Sequence, residues 1–122
     1  MFKFEKLEIW SLALEYIDVV YALAETLPKS EEFNLKSQIR RAAVSVALNI
    51  AEGSTGQTDP EQARFLGLAL RSLLETVACL RIIQRQNMLK DPTFAPTLDE
   101  KAETLARKIQ SMRKTLKNDD RP

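Results

Sequence analysis

The sequence predicts an all-α protein, an antiparallel up-down-up-down four-helix bundle, and three observations carry that expectation. Apolar residues recur at helical spacing in four separate stretches. Proline, glycine and capping residues punctuate the chain between those stretches. The composition, with 29% charged residues and only 3 glycines, favours helix over sheet. At 122 residues and 44% hydrophobic content, one domain spanning 1–122 with a single packed core is expected.

The first helix is expected over about residues 6–27. Leu7, Trp10, Leu14, Ile17, Val20, Tyr21, Ala24 and Leu27 recur at helical spacing, while Glu8, Glu15, Asp18 and Glu25 fall mostly on other faces. Pro28 stops it, because proline has no amide donor and pushes the preceding residue out of the α region. The second helix is expected over 34–53, with Asn34 as N-cap and the segment Gly53, Ser54, Thr55 and Gly56 ending it through left-handed glycine. The third, over 60–88, starts with Asp59 as N-cap, Pro60 at the first helical position and Gln62 completing a capping-box pattern.

Asp91, Pro92 and Pro96 then break the chain, and Thr97 with Glu100 forms a second capping-box pattern ahead of a fourth helix over 98–117. In that helix Leu98, Ala102, Leu105, Ile109, Met112 and Leu116 alternate steps of four and three, the narrow seam of a bundle. Tyr16 and Tyr21 read as packed rings with wet hydroxyls, and Trp10 as a core or interface anchor. Helices joined by short loops fold back antiparallel, which gives the up-down-up-down order.

Composition and motifs narrow the function classes. Lys and Arg total 18 against 17 acids, so a net charge of +1 supplies no global field for nucleic acid or membrane. The lone Cys79 cannot form an intramolecular disulfide, and residues 1–10 mix Lys3 and Lys6 with Glu5 and Glu8, unlike a signal peptide. A cytoplasmic location is therefore expected. No apolar run reaches the ~20 residues that cross a bilayer, and no membrane partner is expected.

Nothing in the chain assembles a catalytic centre. It contains no histidine and no cysteine cluster, and Gly53, Ser54, Thr55 and Gly56 lack the lysine of a phosphate loop. The acidic pairs Glu31 with Glu32, Asp99 with Glu100 and Asp119 with Asp120 lie at expected helix starts or in the tail, where helix dipoles alone account for those at the starts. No catalytic residue, metal ligand or cofactor is expected, and the protein reads as non-enzymatic.

Two helices carry more apolar surface than one core can use. The third is apolar around most of its circumference, from Phe65 and Leu66 through Leu74 to Ile82 and Ile83. The second adds Val44, Ala47, Leu48 and Ala51 to an inner row of Leu35, Ile39, Ala42, Val46 and Ile50. A helix apolar on several sides is buried on several sides, and in a short chain the second side is another subunit.

Within the second helix, Gln38, Arg41, Ser45, Asn49 and Glu52 are spaced three, four, four and three apart and form one polar line. Arg71, Ser72 and Glu75 on the third helix are candidate partners. Two readings fit this set: a hydrogen-bonded and ion-paired network that fixes helix register or subunit orientation, and a row that contacts a ligand or nucleotide.

The run 33–53, FNLKSQIRRAAVSVALNIAEG, resembles the signature of the bacterial four helix bundle proteins, also called 23S rRNA intervening-sequence proteins. Trp10 with Ala13, the Leu27-Pro28 break, and Phe65 and Leu66 through Ser72 and Glu75 extend the resemblance over most of the chain. It implies a four-helix bundle assembled as a homopentameric ring. Family members are encoded within ribosomal RNA insertions or as chromosomal genes. A more distant similarity is to the accessory variability protein of diversity-generating retroelements, a basic pentamer that binds a reverse transcriptase and nucleic acid. This chain departs from it in its near-neutral charge, and departs from the family's usual glycine at Asn34.

Basic residues concentrate at the C-terminal end. Arg107, Lys114 and Arg121 repeat every seven residues with Lys108 alongside, and Arg81 and Arg85 lie four apart on the third helix. Repeated around a ring, such a patch would bind RNA or DNA by multiplied phosphate contacts. The same residues also suit helix C-termini and a soluble surface. The other expected partner class is a protein docking on the assembled bundle.

Overall fold

The computed structural model of the chain describes residues 1–55 and 58–118. Four helices form: α1 Glu8–Glu25, α2 Leu35–Gly53, α3 Asp59–Arg85 and α4 Phe94–Asn118, with short 3-10 turns at Lys3–Lys6 and Lys29–Glu31. No strand occurs among the described residues. Each helix packs on its neighbour in sequence, α4 closes back on α1, and neither diagonal pair comes into close backbone contact. That cyclic order is the up-down-up-down four-helix bundle. Among the described residues, no helix is long and apolar enough to cross a membrane.

The helix limits differ from the sequence expectation where local hydrogen bonds decide them. Leu7 is extended, so α1 begins at Glu8 rather than near residue 6. At the start of α2, Asn34 does not cap the helix with its side chain. Glu31 does: its Oε1 accepts from the Leu35 amide at 3.3 Å and from Asn34 Nδ2 at 2.9 Å. The cap of α3 is Thr58, one residue before the expected Asp59, with Oγ1 accepting from the Glu61 amide.

The third helix ends at Arg85, three residues before the expected limit. Asn87 takes a left-handed conformation, φ 55°. The Met88 amide then donates to Ile83 O and the Asn87 amide to Gln84 O, the paired bonds of a Schellman end. The fourth helix starts at Phe94, four residues earlier than expected. Asp91 Oδ1 accepts from both the Thr93 amide and hydroxyl, and Pro96 falls in the first turn, where a missing amide donor costs nothing.

Each helix turns one apolar row inward. In α1 the buried row is Ile9, Ala13, Tyr16, Val20 and Leu23, continued by Leu27. Leu14 and Tyr21, expected on the core side, are exposed on an adjoining apolar row. In α2 the inner row of Ile39, Ala43, Val46 and Ile50 is fully buried. Its alanines and Gly53 let α3 approach closely: a Cβ on Gly53 would stand 3.0 Å from Phe65 Cβ. Gly53 is thus selected by packing within the helix rather than by a left-handed turn, and Gly56 lies outside the described residues.

One polar contact crosses the core. Thr76, wholly buried, donates its hydroxyl to Leu73 O at 2.6 Å. Its single proton is used there, so the Tyr16 phenol must donate to Thr76 Oγ1, also at 2.6 Å. The bond ties α1 to α3 across the diagonal. Tyr16 is therefore dry, contrary to the expectation of a wet hydroxyl, and burial pushes its pKa up to about 12.

Candidate functional site

The polar line of α2 faces outward, over a groove between α2 and α3. Tyr21, Phe33, Val44 and Leu48 give this groove apolar walls, and Gln38, Arg41, Ser45, Ser72 and Glu75 give it polar ones, around about 1070 Å³. Phe33 is 95% exposed and Leu48 60%.

The expected network forms only at its centre. Ser45 and Ser72 share a hydrogen bond of 2.9 Å between α2 and α3. Asn49 Nδ2 donates to Ser45 O at 2.9 Å and to Ser45 Oγ at 3.1 Å, linking one turn to the next. Gln38, at the groove wall, donates instead to Asn34 Oδ1. Arg41, Glu52, Arg71 and Glu75 are exposed, and no ion pair among the described residues involves them. The protomer thus satisfies the hydroxyls and leaves the charges open.

A second groove lies between α3 and α4. Leu70, Leu74, Val77 and Ala106 form much of its lining, with Glu103, Arg107 and Gln110 along the α4 side, around about 640 Å³. Leu74 is 68% exposed. Gln110 Oε1 is buried with no hydrogen-bond partner, an arrangement that ordinarily costs free energy. Arg113 closes one end: its guanidinium lies over Gly67, where a Cβ would stand 3.1 Å away, and it donates to Ala63 O at 3.2 Å.

The basic residues divide by what holds them. Arg81 pairs with Asp99 at 3.0 Å, and Lys108 with Glu8 at 3.0 Å, each joining two helices. Arg107 lines the α3–α4 groove. Arg85 and Lys114 are exposed and take part in no ion pair among the described residues. Arg121 lies outside the described residues. Arg81 and Arg107 thus border one groove, while Lys108 is engaged by α1.

A cluster that periodicity does not reveal sits beside the α2–α3 groove. Lys36 and Arg40 both contact Glu32, at 3.0 and 3.3 Å, and both reach Glu25 of α1, at 3.8 and 3.6 Å. Arg40 also lies over the Tyr21 ring, 5.7 Å from its centroid. The hydrogen bond from Lys36 holds the Glu32 carboxyl below its ordinary range. The four-residue step from Glu32 to Lys36 is the one sequence signal for it.

Among the described residues no three acidic or cysteine side chains gather as metal ligands would. The Cys79 thiol is buried, and burial together with the charge of Glu75 raises its pKa, the reverse of nucleophile activation.

No curated protein matches this chain. The family model described as 23S rRNA-intervening sequence protein matches residues 5–117, from ahead of α1 to the last turn of α4, and the chain belongs to that family.

Proposed function

We propose that this chain works by assembly, as a non-enzymatic, homo-oligomeric four-helix-bundle accessory protein whose α2–α3 groove is a subunit contact. The observation that carries the reading is the groove itself. Phe33 and Leu48 stand exposed beside Arg41 and Glu75, which take part in no ion pair among the described residues. A second subunit would cover the apolar walls and offer counter-charges. The resemblance described above makes five the expected number of copies. The lone, buried Cys79 supports a cytoplasmic setting, where thiols stay reduced.

Sedimentation velocity at micromolar concentration tests this. The expected result is a single species at a multiple of 13.9 kDa, five-fold for a pentamer. A species at the protomer mass across that range would refute the reading. Leu48→Asp, at an exposed position, should release protomers that keep their helical circular dichroism.

A second reading has its own support. The family takes its name from sequences that intervene in 23S rRNA. Arg85, Arg107 and Lys114 carry charges that no acid of the protomer neutralises among the described residues. Around a ring they would be repeated and would bind RNA or DNA with a steep salt dependence. Replacing Arg107, Lys108 and Lys114 with glutamine should abolish low-salt retention of structured RNA. Most of the loss is expected from Arg107 and Lys114, since Lys108 is held by Glu8. If the unaltered chain retains neither RNA nor DNA at low salt, the assembled bundle is left as a protein-docking scaffold.

A further inference from the structure

We infer that the α2 face of one protomer docks into the α3–α4 groove of a second copy of this chain, with Arg41 of one subunit opposite Glu103 of the next. The inference rests on the assembly reading above and names which two faces meet. It follows from the heights of the residues along the bundle.

The third helix serves as a common ruler, because both grooves border it. Ser45 and Ser72 are hydrogen-bonded at 2.9 Å, so α2 and α3 are level there. Antiparallel helices run past each other by about 1.5 Å per residue. One turn back along α2 from Ser45, Arg41 is therefore level with Glu75 and Thr76, and Val44 with Leu73 and Leu74. About one turn forward, Leu48 is level with Ala69 and Leu70. On the other side, the Arg81–Asp99 pair and the Arg113 guanidinium over Gly67 fix α4 against the same ruler. Glu103 is then level with Val77, Arg107 with Leu73 and Leu74, and Gln110 with Leu70.

A rotation about an axis along the bundle moves each residue sideways without changing its height. It also joins two unlike faces, the kind of contact that closes into a ring. Under that operation the exposed Leu48 and the half-buried Val44 of one subunit meet Leu70 and Leu74 of the next, apolar surface on apolar surface at equal height. Arg41 comes opposite Glu103 and Glu75 opposite Arg107, four charges that have no ion pair within the described protomer; Arg107 so placed is withdrawn from nucleic acid, which leaves Arg85 and Lys114 to the second reading above. A two-fold contact of the α2–α3 groove with itself about an axis along the bundle would instead keep heights and bring Arg41 near Arg41.

Charge reversal separates these arrangements. Arg41 and Glu103 are both exposed, so Arg41→Glu and Glu103→Arg should keep full helical circular dichroism. Each single reversal is expected to raise the apparent dissociation constant of the assembly by about tenfold or more, one repelling pair being placed at every subunit contact. The double variant Arg41→Glu with Glu103→Arg should return to within a few-fold of the unaltered chain. If the unaltered chain is monomeric, the assembly reading falls and this inference with it. If it assembles and the single reversals assemble equally well, or the double variant fails to recover, the pairing of these two faces is overturned while assembly stands.

Discussion

The two sides of α3 both carry leucine and isoleucine and behave oppositely. Its inner side carries Leu66, Ala69, Leu73, Thr76, Leu80 and Ile83, all buried, and the one hydroxyl among them both donates and accepts. Its outer side carries Arg71, Leu74, Glu75 and Ile82, all exposed. Burial on the inner side comes with complete hydrogen bonding, as the cost of an unpaired polar group requires. Exposure on the outer side comes with unpaired charge beside apolar surface. The inner side therefore specifies the protomer, and in the assembly proposed above the outer side would specify its neighbours.

Truncating one leucine on each side tests this division most strongly. Leu80 is fully buried, and Leu80→Ala should lower unfolding free energy by about 2–5 kcal/mol, the transfer loss plus the cavity. Leu74→Ser on the outer side should leave the unfolding of dilute protomers within about 0.5 kcal/mol of the original. Its effect should appear in sedimentation, as weakened assembly. Equal losses in denaturant titration would show that the outer side is also part of the protomer's core.

Proton linkage at Tyr16 gives the next largest effect. The phenol's pKa is about 12 in the folded state against an ordinary 10, chiefly through burial, so the folded chain holds this proton where the unfolded chain releases it. Its contribution is fully present below pH 10 and is lost as pH rises from 10 to 12, about 2–3 kcal/mol in all. Tyr16→Phe should remove that part of the alkaline slope, read from urea midpoints between pH 9 and 12. Removing the other partner is a different perturbation. Thr76→Val leaves the phenol donor buried without an acceptor and should cost about 1–3 kcal/mol at pH 7. Tyr16→Phe, which leaves Thr76 still donating to Leu73 O, should cost about 1 kcal/mol. The reverse order would mean that Thr76 is not the acceptor.

Periodicity made four helices legible because each seam repeats over several turns. The apolar surplus was legible too, since Leu48, Leu74 and Ile82 fall off the inner rows and are exposed in the protomer. Helix limits were less so. They depend on bonds such as Glu31 to the Leu35 amide, and on Asn87 adopting a left-handed conformation, which composition permits but does not require. In α1 two apolar rows adjoin, and hydrophobicity alone does not choose between Tyr16 and Tyr21. The Tyr16–Thr76 bond joins residues 60 positions apart and leaves no periodic trace. Of the polar set on α2 and α3, the spacing identified the line, while only the three-dimensional arrangement separates the bonded Ser45, Asn49 and Ser72 from the open Arg41, Glu52 and Glu75.

The smallest expected effects come from two helical glycines that border α3 surfaces of different rigidity. A methyl on Gly53 would meet Phe65 Cβ at 3.0 Å and Gln62 O at 3.4 Å, atoms fixed to the backbone of α3. Gly53→Ala should therefore push α2 and α3 apart and cost about 1–2 kcal/mol, overpacking outweighing a small helix-propensity gain at the last helical residue. A methyl on Gly67 would meet only the far end of Arg113, which is free to swing away. There the gain of about 1 kcal/mol from replacing glycine in a helix interior is offset by the bond from Arg113 to Ala63 O, and Gly67→Ala should stay within about 0.5 kcal/mol of the original. Thermal melts of the two variants should thus differ in sign or at least in size. A Gly67→Ala loss as large as that of Gly53→Ala would show that Arg113 is fixed in its seat, making the end of the α3–α4 groove a rigid wall rather than an adjustable one.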